Sequence, residues 1–192
     1  SSIVGTALTA LKKNLPKRDG SVPNLSKPRY FFYEIIDHCN SKCQSCNIWM
    51  RPPSKDYLTK DDITKLFSTG FFSEVEDIIV SGGEPIMHKE ITEALIEISK
   101  HVKPGCRFNF STNGLLPEKV FECVKKLDDA GLEIIVGISL EGVGKQHDDV
   151  RGVPGNFKKV DRLVDYLVKY RDERPKRKHG FGIGIGSLMM KD

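Results

Sequence analysis

Asp77-Ile78-Ile79-Val80-Ser81-Gly82-Gly83-Glu84-Pro85 is the stretch from which the architecture is read. A short run of β-branched residues ending in glycines and a proline predicts a buried strand that breaks into a loop. Ile91, Leu95 and Ile98 then return to helical spacing. The same strand, loop and helix unit recurs on either side. Residues 30–36 are aromatic and branched and lead into a cysteine-bearing loop, after which Thr59 with Asp62 signals a helix start and Ile63, Leu66 and Phe67 supply an apolar face before Gly70. Phe108-Asn109-Phe110 runs into Ser111-Thr112-Asn113-Gly114, and Pro117 opens a helix carrying Val120, Phe121, Val124 and Leu127 up to Gly131. Residues 132–140 predict a fourth strand, with Phe157, Val160, Leu163, Val164 and Leu167 as the helical face after it, and 180–188 a fifth strand. Such alternation predicts an α/β fold with parallel strands joined by right-handed crossovers. Each motif that carries chemistry falls just past the carboxyl end of a strand, the edge where such sheets bind ligands.

A chain of 192 residues with 39% hydrophobic and 29% charged residues predicts one globular domain. No apolar run reaches the length of a membrane span, and residues 1–10 lack the basic start and long apolar stretch of a secretory signal, so a cytoplasmic location is expected. Ala7, Leu8, Ala10 and Leu11 are spaced as a helix, and Pro16, Gly20, Pro23 and Pro28 then interrupt it; residues 1–28 are read as an N-terminal helix and linker, and 29–192 as the core domain. The net charge of +4 is modest. The basic run from Arg171 to His179 also holds Asp172, Glu173 and Pro175 and predicts a solvated loop rather than a nucleic-acid contact.

Five cysteines are an odd number, and three of them, in Cys39-Asn40-Ser41-Lys42-Cys43-Gln44-Ser45-Cys46, are too close together for an ordinary disulfide framework. Spacing alone leaves three readings. Three thiolates can hold a four-iron cluster while leaving one iron open to another ligand. Zinc in a structural site takes four protein ligands, the fourth being His38 or a distant residue, although the three-residue gap differs from the knuckles of zinc ribbons. Structural thiols are the third. Cys106 and Cys123, at a strand entrance and within a helical pattern, are expected to be small buried side chains.

Cys-x3-Cys-x2-Cys after the first strand and Gly82-Gly83-Glu84-Pro85 after the second together resemble the radical S-adenosylmethionine superfamily. Ser139-Leu140-Glu141-Gly142 and the segment from His147 to Gly152 are similar to motifs of its branch with peptide maturases and cofactor-biosynthesis enzymes. The resemblance spans about residues 29–188 and implies a partial parallel (β/α)6-type barrel. It implies an oxidoreductase with a 4Fe-4S cluster on Cys39, Cys43 and Cys46, whose open iron is chelated by S-adenosylmethionine. Reductive cleavage then gives a 5′-deoxyadenosyl radical that abstracts hydrogen from a substrate, a peptide or cofactor precursor being favoured. An electron donor such as flavodoxin or ferredoxin is implied, and no membrane partner. Gly82 and Gly83 would let backbone approach the methionine end, Glu84 would accept from its ammonium, and Pro85 completes the motif. Arg151 would pair with the methionine carboxylate, with Ser139 and Asn113 nearby. A surface ion pair with Asp148 or Asp149 is the plain alternative for Arg151, and a tight turn for the glycines. Ser45 stands where the family usually has an aromatic residue, which moves the adenine contact towards Asn47, Ile48 or Trp49. In the fifth strand Gly182, Gly184 and Gly186 alternate with Phe181, Ile183 and Ile185, so the glycines are expected to face the barrel interior. The family barrel has six strands, so a further strand and more chain are expected beyond Asp192. The competing reading is a noncatalytic zinc- or cluster-binding module serving as a partner platform.

Overall fold

The structure, a computed structural model, describes residues 26–54 and 57–188. The helix predicted over 1–13 and most of the following linker lie outside them. Strands β1 (Tyr30–Ile36), β2 (Asp77–Gly82), β3 (Arg107–Thr112), β4 (Glu133–Ser139) and β5 (Phe181–Gly186) form one parallel sheet in sequence order. Helices α1 (Lys60–Phe67), α2 (Ile91–Ser99), α3 (Pro117–Asp129), α4 (Lys145–Arg151) and α5 (Asn156–Glu173) make up the crossovers. This is the expected open, partial barrel.

Side chains alternate across a strand, so the pairing register sorts them into rows on two faces. Phe31, Ile78, Phe108, Ile134 and Phe181 pair in one row, and Tyr33, Val80, Phe110, Val136 and Ile183 in another, all belonging to or packed against the core beneath the helices. Phe31 meets Phe67 of α1 and Phe72 edge-on, which seals the β1 end. The intervening residues point to the opposite face. There Phe32 is 57% and Ile79 41% exposed, although the strands of parallel sheets are ordinarily covered on both sides. On β5 the glycines share this face with Ile135, Gly137 and Ser139, while Phe181 and Ile183 join the core, as the alternation predicts.

The helix signals act as expected at α1, where Thr59 accepts from the Asp62 N–H and the Asp62 carboxylate accepts from the Thr59 N–H. Helix α4 is absent from the sequence reading. His147 is its one buried residue, so no apolar period marks it. Cys106 and Cys123 are buried, as expected, and burial pushes their thiols up to about 12 and about 11.

The basic run before β5 is not a solvated loop. Asp128, at the end of α3 and fully buried, accepts from Tyr170 Oη at 2.8 Å and Arg174 Nη2 at 2.7 Å, with His179 Nε2 at 3.1 Å and Arg177 Nε at 3.3 Å. The sequence showed the cations but not the carboxylate that collects them, some fifty residues upstream. Removing one member of such a cluster leaves buried charge without compensation. Asp128→Ala is expected to lose about 3–5 kcal/mol of stability, read as a lower urea midpoint with an unchanged slope.

Candidate functional site

The ladder between β1 and β2 does not stop at the strand ends. Gly83 N–H donates to Ile36 O at 2.7 Å, and Glu84 N–H to His38 O at 2.9 Å. A Cβ on Gly82 would overlap the Ile36 carbonyl, and one on Gly83 the carbonyl of His38; Gly82 also has φ +116°. The bare sides of both glycines therefore face the entrance of the cysteine loop. Packing by itself requires glycine at both positions, as in the tight turn that the sequence also offered.

The far side of the cysteine loop is held by α4. Lys42 N–H donates to Arg151 O and Gln44 N–H to Val150 O, both at 3.0 Å, and Ser41 Oγ donates to Arg151 O at 2.9 Å. A helix leaves its last carbonyls without internal partners, and here the loop satisfies two of them. Gly152 ends α4 in the left-handed conformation, and a Cβ there would overlap Lys42 O. Trp49 Nε1 donates to Cys43 O at 3.3 Å, so the one tryptophan anchors the loop.

Between these anchors, Cys39 Sγ lies 3.4 Å from Ser41 N–H and 3.6 Å from Asn113 Nδ2; Cys43 Sγ lies 3.3 Å from Ser41 Oγ; Cys46 is exposed. Burial pushes the Cys39 thiol up. Among the described residues no three His, Cys, Asp or Glu side chains are gathered closely enough to hold a metal ion as they stand, and His38 Nδ1 is buried with no hydrogen-bond partner. The donors nonetheless fit a cluster: three thiols in one loop, two of them buried or half-buried beside N–H and O–H groups of the kind that tune cluster sulfurs.

Glu84 is 1% exposed. Its carboxylate accepts from Thr112 Oγ1 at 2.8 Å and the Asn113 N–H at 2.7 Å, and burial pushes it up to about 7. Asn113 continues outward, its Nδ2 donating to Asn40 Oδ1 at 2.8 Å and its carbonyl accepting from Asn156 Nδ2 at 3.1 Å. Asn156 Oδ1 then meets His147 Nε2 at 3.1 Å. Because His147 Nδ1 accepts from the Glu141 N–H at 3.1 Å, the ring proton sits on Nε2 and is donated to Asn156; burial holds the ring's pKa down and keeps it neutral.

Glu141 closes the path. Its Oε1 lies 3.5 Å from Arg151 Nη1 and its Oε2 accepts from the Leu188 N–H at 2.6 Å. Arg151 is thus paired with Glu141 rather than with Asp148 or Asp149. Asp148 accepts from the N–H groups of Gly155 and Phe157 at the start of α5, and Asp149 pairs with Lys145. The Arg151 side chain is 13% exposed, and its Nε is buried with no hydrogen-bond partner. Ser139 ends β4, half-buried, opposite Gly186, and Pro85 is buried at the start of a 3-10 turn (Pro85–Met87). Of the residues expected at the site, Cys39, Glu84 and Asn113 are joined by hydrogen bonds, and Arg151 through its backbone. Ser41, Thr112, Glu141, His147 and Asn156 were not among those expected. Glu141 and His147 lie in the motif segments noted in the sequence, whereas Ser41, Thr112 and Asn156 act through contacts with residues 28 to 110 positions away.

The profile of the family described as "Radical SAM superfamily" matches residues 33–184. The chain belongs to the radical SAM superfamily. It is 29% identical over 141 residues to the antilisterial bacteriocin subtilosin biosynthesis protein AlbA of Bacillus subtilis, covering 73% of this chain and 30% of that protein. The AdoMet-dependent heme synthase of Methanosarcina barkeri is 30% identical over 149 residues, covering 74% and 40%. A probable GTP 3′,8-cyclase of Methanococcus vannielii is 31% identical over 143 residues, covering 73% and 45%. The radical SAM chain therefore spans less than half the length of these relatives. Among solved structures, anSMEcpe with bound AdoMet shares the fold with a TM-score of 0.58 and 22% identity, over 80% of this chain and 42% of that one.

Two outcomes follow from the geometry. Gly83→Ala is expected to lose about 1–3 kcal/mol in urea unfolding, because the His38 carbonyl is backbone and cannot step aside. Glu84 holds its proton in the folded metal-free chain where the unfolded chain has released it. The stability it contributes is complete below its ordinary value of 4.5 and is lost as the pH rises through about 7. The unfolding free energy of the metal-free protein, read from urea titrations, should fall between about pH 5 and 8 by about a few kcal/mol in all, and Glu84→Gln should flatten that slope.

Proposed function

We propose that this radical SAM chain holds a 4Fe-4S cluster on Cys39, Cys43 and Cys46 and S-adenosylmethionine beside it, in a radical enzyme that acts on a peptide or a cofactor precursor. What the cluster supplies when bound is an electron for reductive cleavage of S-adenosylmethionine, the resulting 5′-deoxyadenosyl radical taking a hydrogen atom from the substrate. The observation that carries this reading is Arg151: a largely buried guanidinium with an unpartnered Nε, fastened by its own backbone to the cysteine loop. A planar fork with its Nε–H unmet suits a carboxylate, and the methionine end of the cofactor brings one.

The chain's own residues bind, orient and exclude water. Glu84, on the other side of the loop, receives the ammonium; ionisation of its raised carboxyl is favoured by that cation. Ser139 and Asn113 stand at the same edge and complete the set, with Gly82, Gly83 and Pro85 shaping the turn. The relay through Asn156, His147 and Glu141 keeps Asn113 and Arg151 in place. The electron comes from a separate donor of the flavodoxin or ferredoxin kind. AlbA, named for bacteriocin biosynthesis, and the heme synthase support peptides and cofactor precursors as the substrate classes.

Anaerobic reconstitution of the full-length protein with iron, sulfide, reductant and S-adenosylmethionine should release 5′-deoxyadenosine, and Cys43→Ala should abolish the release. Arg151→Ala should weaken S-adenosylmethionine binding about tenfold or more, as loss of a charged hydrogen bond does. Bound zinc without cleavage in the full-length protein rejects the proposal in favour of a noncatalytic module.

A further inference from the structure

A cleft of about 500 Å³ opens between the loop that follows the cysteines and the starts of α1 and α2. Ile36, Leu58, Met87 and the Tyr57 ring give it an apolar wall, and its size is in the range of small-molecule sites. His38 and Pro53, on either side of the three cysteines, bound it. None of the residues proposed for the cluster or for S-adenosylmethionine lines it.

The polar groups of this cleft are unevenly satisfied. His88 is 7% exposed and firmly oriented: the Tyr57 ring meets it edge-on, and its Nδ1 accepts from the Glu90 N–H at 3.2 Å. Burial holds the ring's pKa down, so its one proton sits on Nε2, and that N–H has no partner among the described residues. Such a tautomer offers a donor and no lone pair for a metal. His38 Nδ1 is buried without a partner, and the exposed Lys89 ammonium makes no hydrogen bond or ion pair among the described residues. The carboxylates bonded to the walls are engaged instead. Asp37 accepts from the Ser54 N–H at 3.2 Å and from Tyr57 Oη at 2.8 Å, and Glu90 Oε2 accepts from the Lys60 N–H at 3.1 Å. Glu90 is the N-cap residue of α2, and its side chain leaves that helix start uncapped. An unmet N–H, an ammonium and an uncapped helix start, beside acids that are already paired, favour an anion.

We infer that this cleft binds a carboxylate carried on an apolar body, a ring or a branched alkyl group, with the carboxylate on His88 Nε2 and Lys89 and the body against Ile36, Leu58 and Met87. A free organic acid and the C-terminal residue of a peptide present the same chemistry. The site is separate from the one proposed for S-adenosylmethionine, and its binding does not depend on the radical reaction.

The test is binding of 3-phenylpropanoate, N-acetylphenylalanine and the neutral amide of each to the full-length protein, by calorimetry or ligand-observed NMR. At least one acid should bind about fivefold or more tightly than its amide. Preference for N-acetylphenylalanine alone assigns a peptide C-terminus, for 3-phenylpropanoate alone a free organic acid, and for both a site that accepts either. Lys89→Glu and His88→Asn should each remove the preference. The asparagine oxygen can still accept from the N–H two residues on, so the turn at Glu90 is kept while the Nε2–H is lost. Urea midpoints show which variants fold, and the exposed Lys89→Glu decides alone if His88→Asn does not. The inference is overturned if neither acid is preferred, including no binding of any probe, or if the preference survives in a folded variant. It is overturned as well if Arg151→Ala or saturating S-adenosylmethionine removes the preference, since the carboxylate then sits on Arg151. Release of 5′-deoxyadenosine is measured separately, so that its absence rejects the radical reading and leaves this cleft untouched.

Discussion

Backbone against backbone is the contact on which the rest depends. Where β2 ends, Gly82 and Gly83 lie so close to the carbonyls of Ile36 and His38 that no side chain fits between. On the opposite flank, Gly152 lies as close to the carbonyl of Lys42. The cysteine loop has no regular structure of its own through these residues, yet peptide groups of two other segments hydrogen-bond it from both sides. Buried peptide N–H and C=O groups need partners, so these pairings make one arrangement of the loop strongly preferred. The sulfurs inherit that order.

Around this contact runs a chain of buried polar groups from Glu84 through Asn113, Asn156 and His147 to Glu141 and Arg151. At low dielectric such a chain is directional, because each donor has one acceptor and each acceptor fixes the next group's orientation. The tautomer of His147 is an example. At its two ends the chain is less complete. Glu84 is a carboxylate that burial penalises, and Arg151 keeps an unpartnered Nε. Unmet polar capacity inside a protein is destabilising unless something arrives to meet it, and here the two ends have opposite charge preferences. On the reading proposed above, a zwitterionic methionine end is what would meet both.

The two faces of the sheet divide the labour. Phenylalanine, isoleucine and valine rows are closed by the helices and carry the stability, while the other face stays open and becomes progressively smaller and more polar towards the edge that bears the motifs. Phe32 and Ile79 are exposed on that face.

The amino-acid sequence by itself determined the alternation of strand and helix, because periods of two and 3.6 are local properties of side-chain projection. It determined the motif loops as well: glycines, a proline and three cysteines at short spacing are local signals, and they sit where the strands end. Tertiary structure alone decided why the glycines are bare, which carboxylate Arg151 meets, and how His147 and Asn156 join distant loops. Helix α4 was not legible for a related reason, since it has one buried residue and is held by capping and by the cysteine loop rather than by an apolar stripe. The Arg174, Arg177 and His179 run looked solvated because its partner, Asp128, lies across the fold. Hydrogen bonds and ion pairs between residues far apart in the chain leave no periodic trace, so the fold had to bring the partners together before their roles could be read.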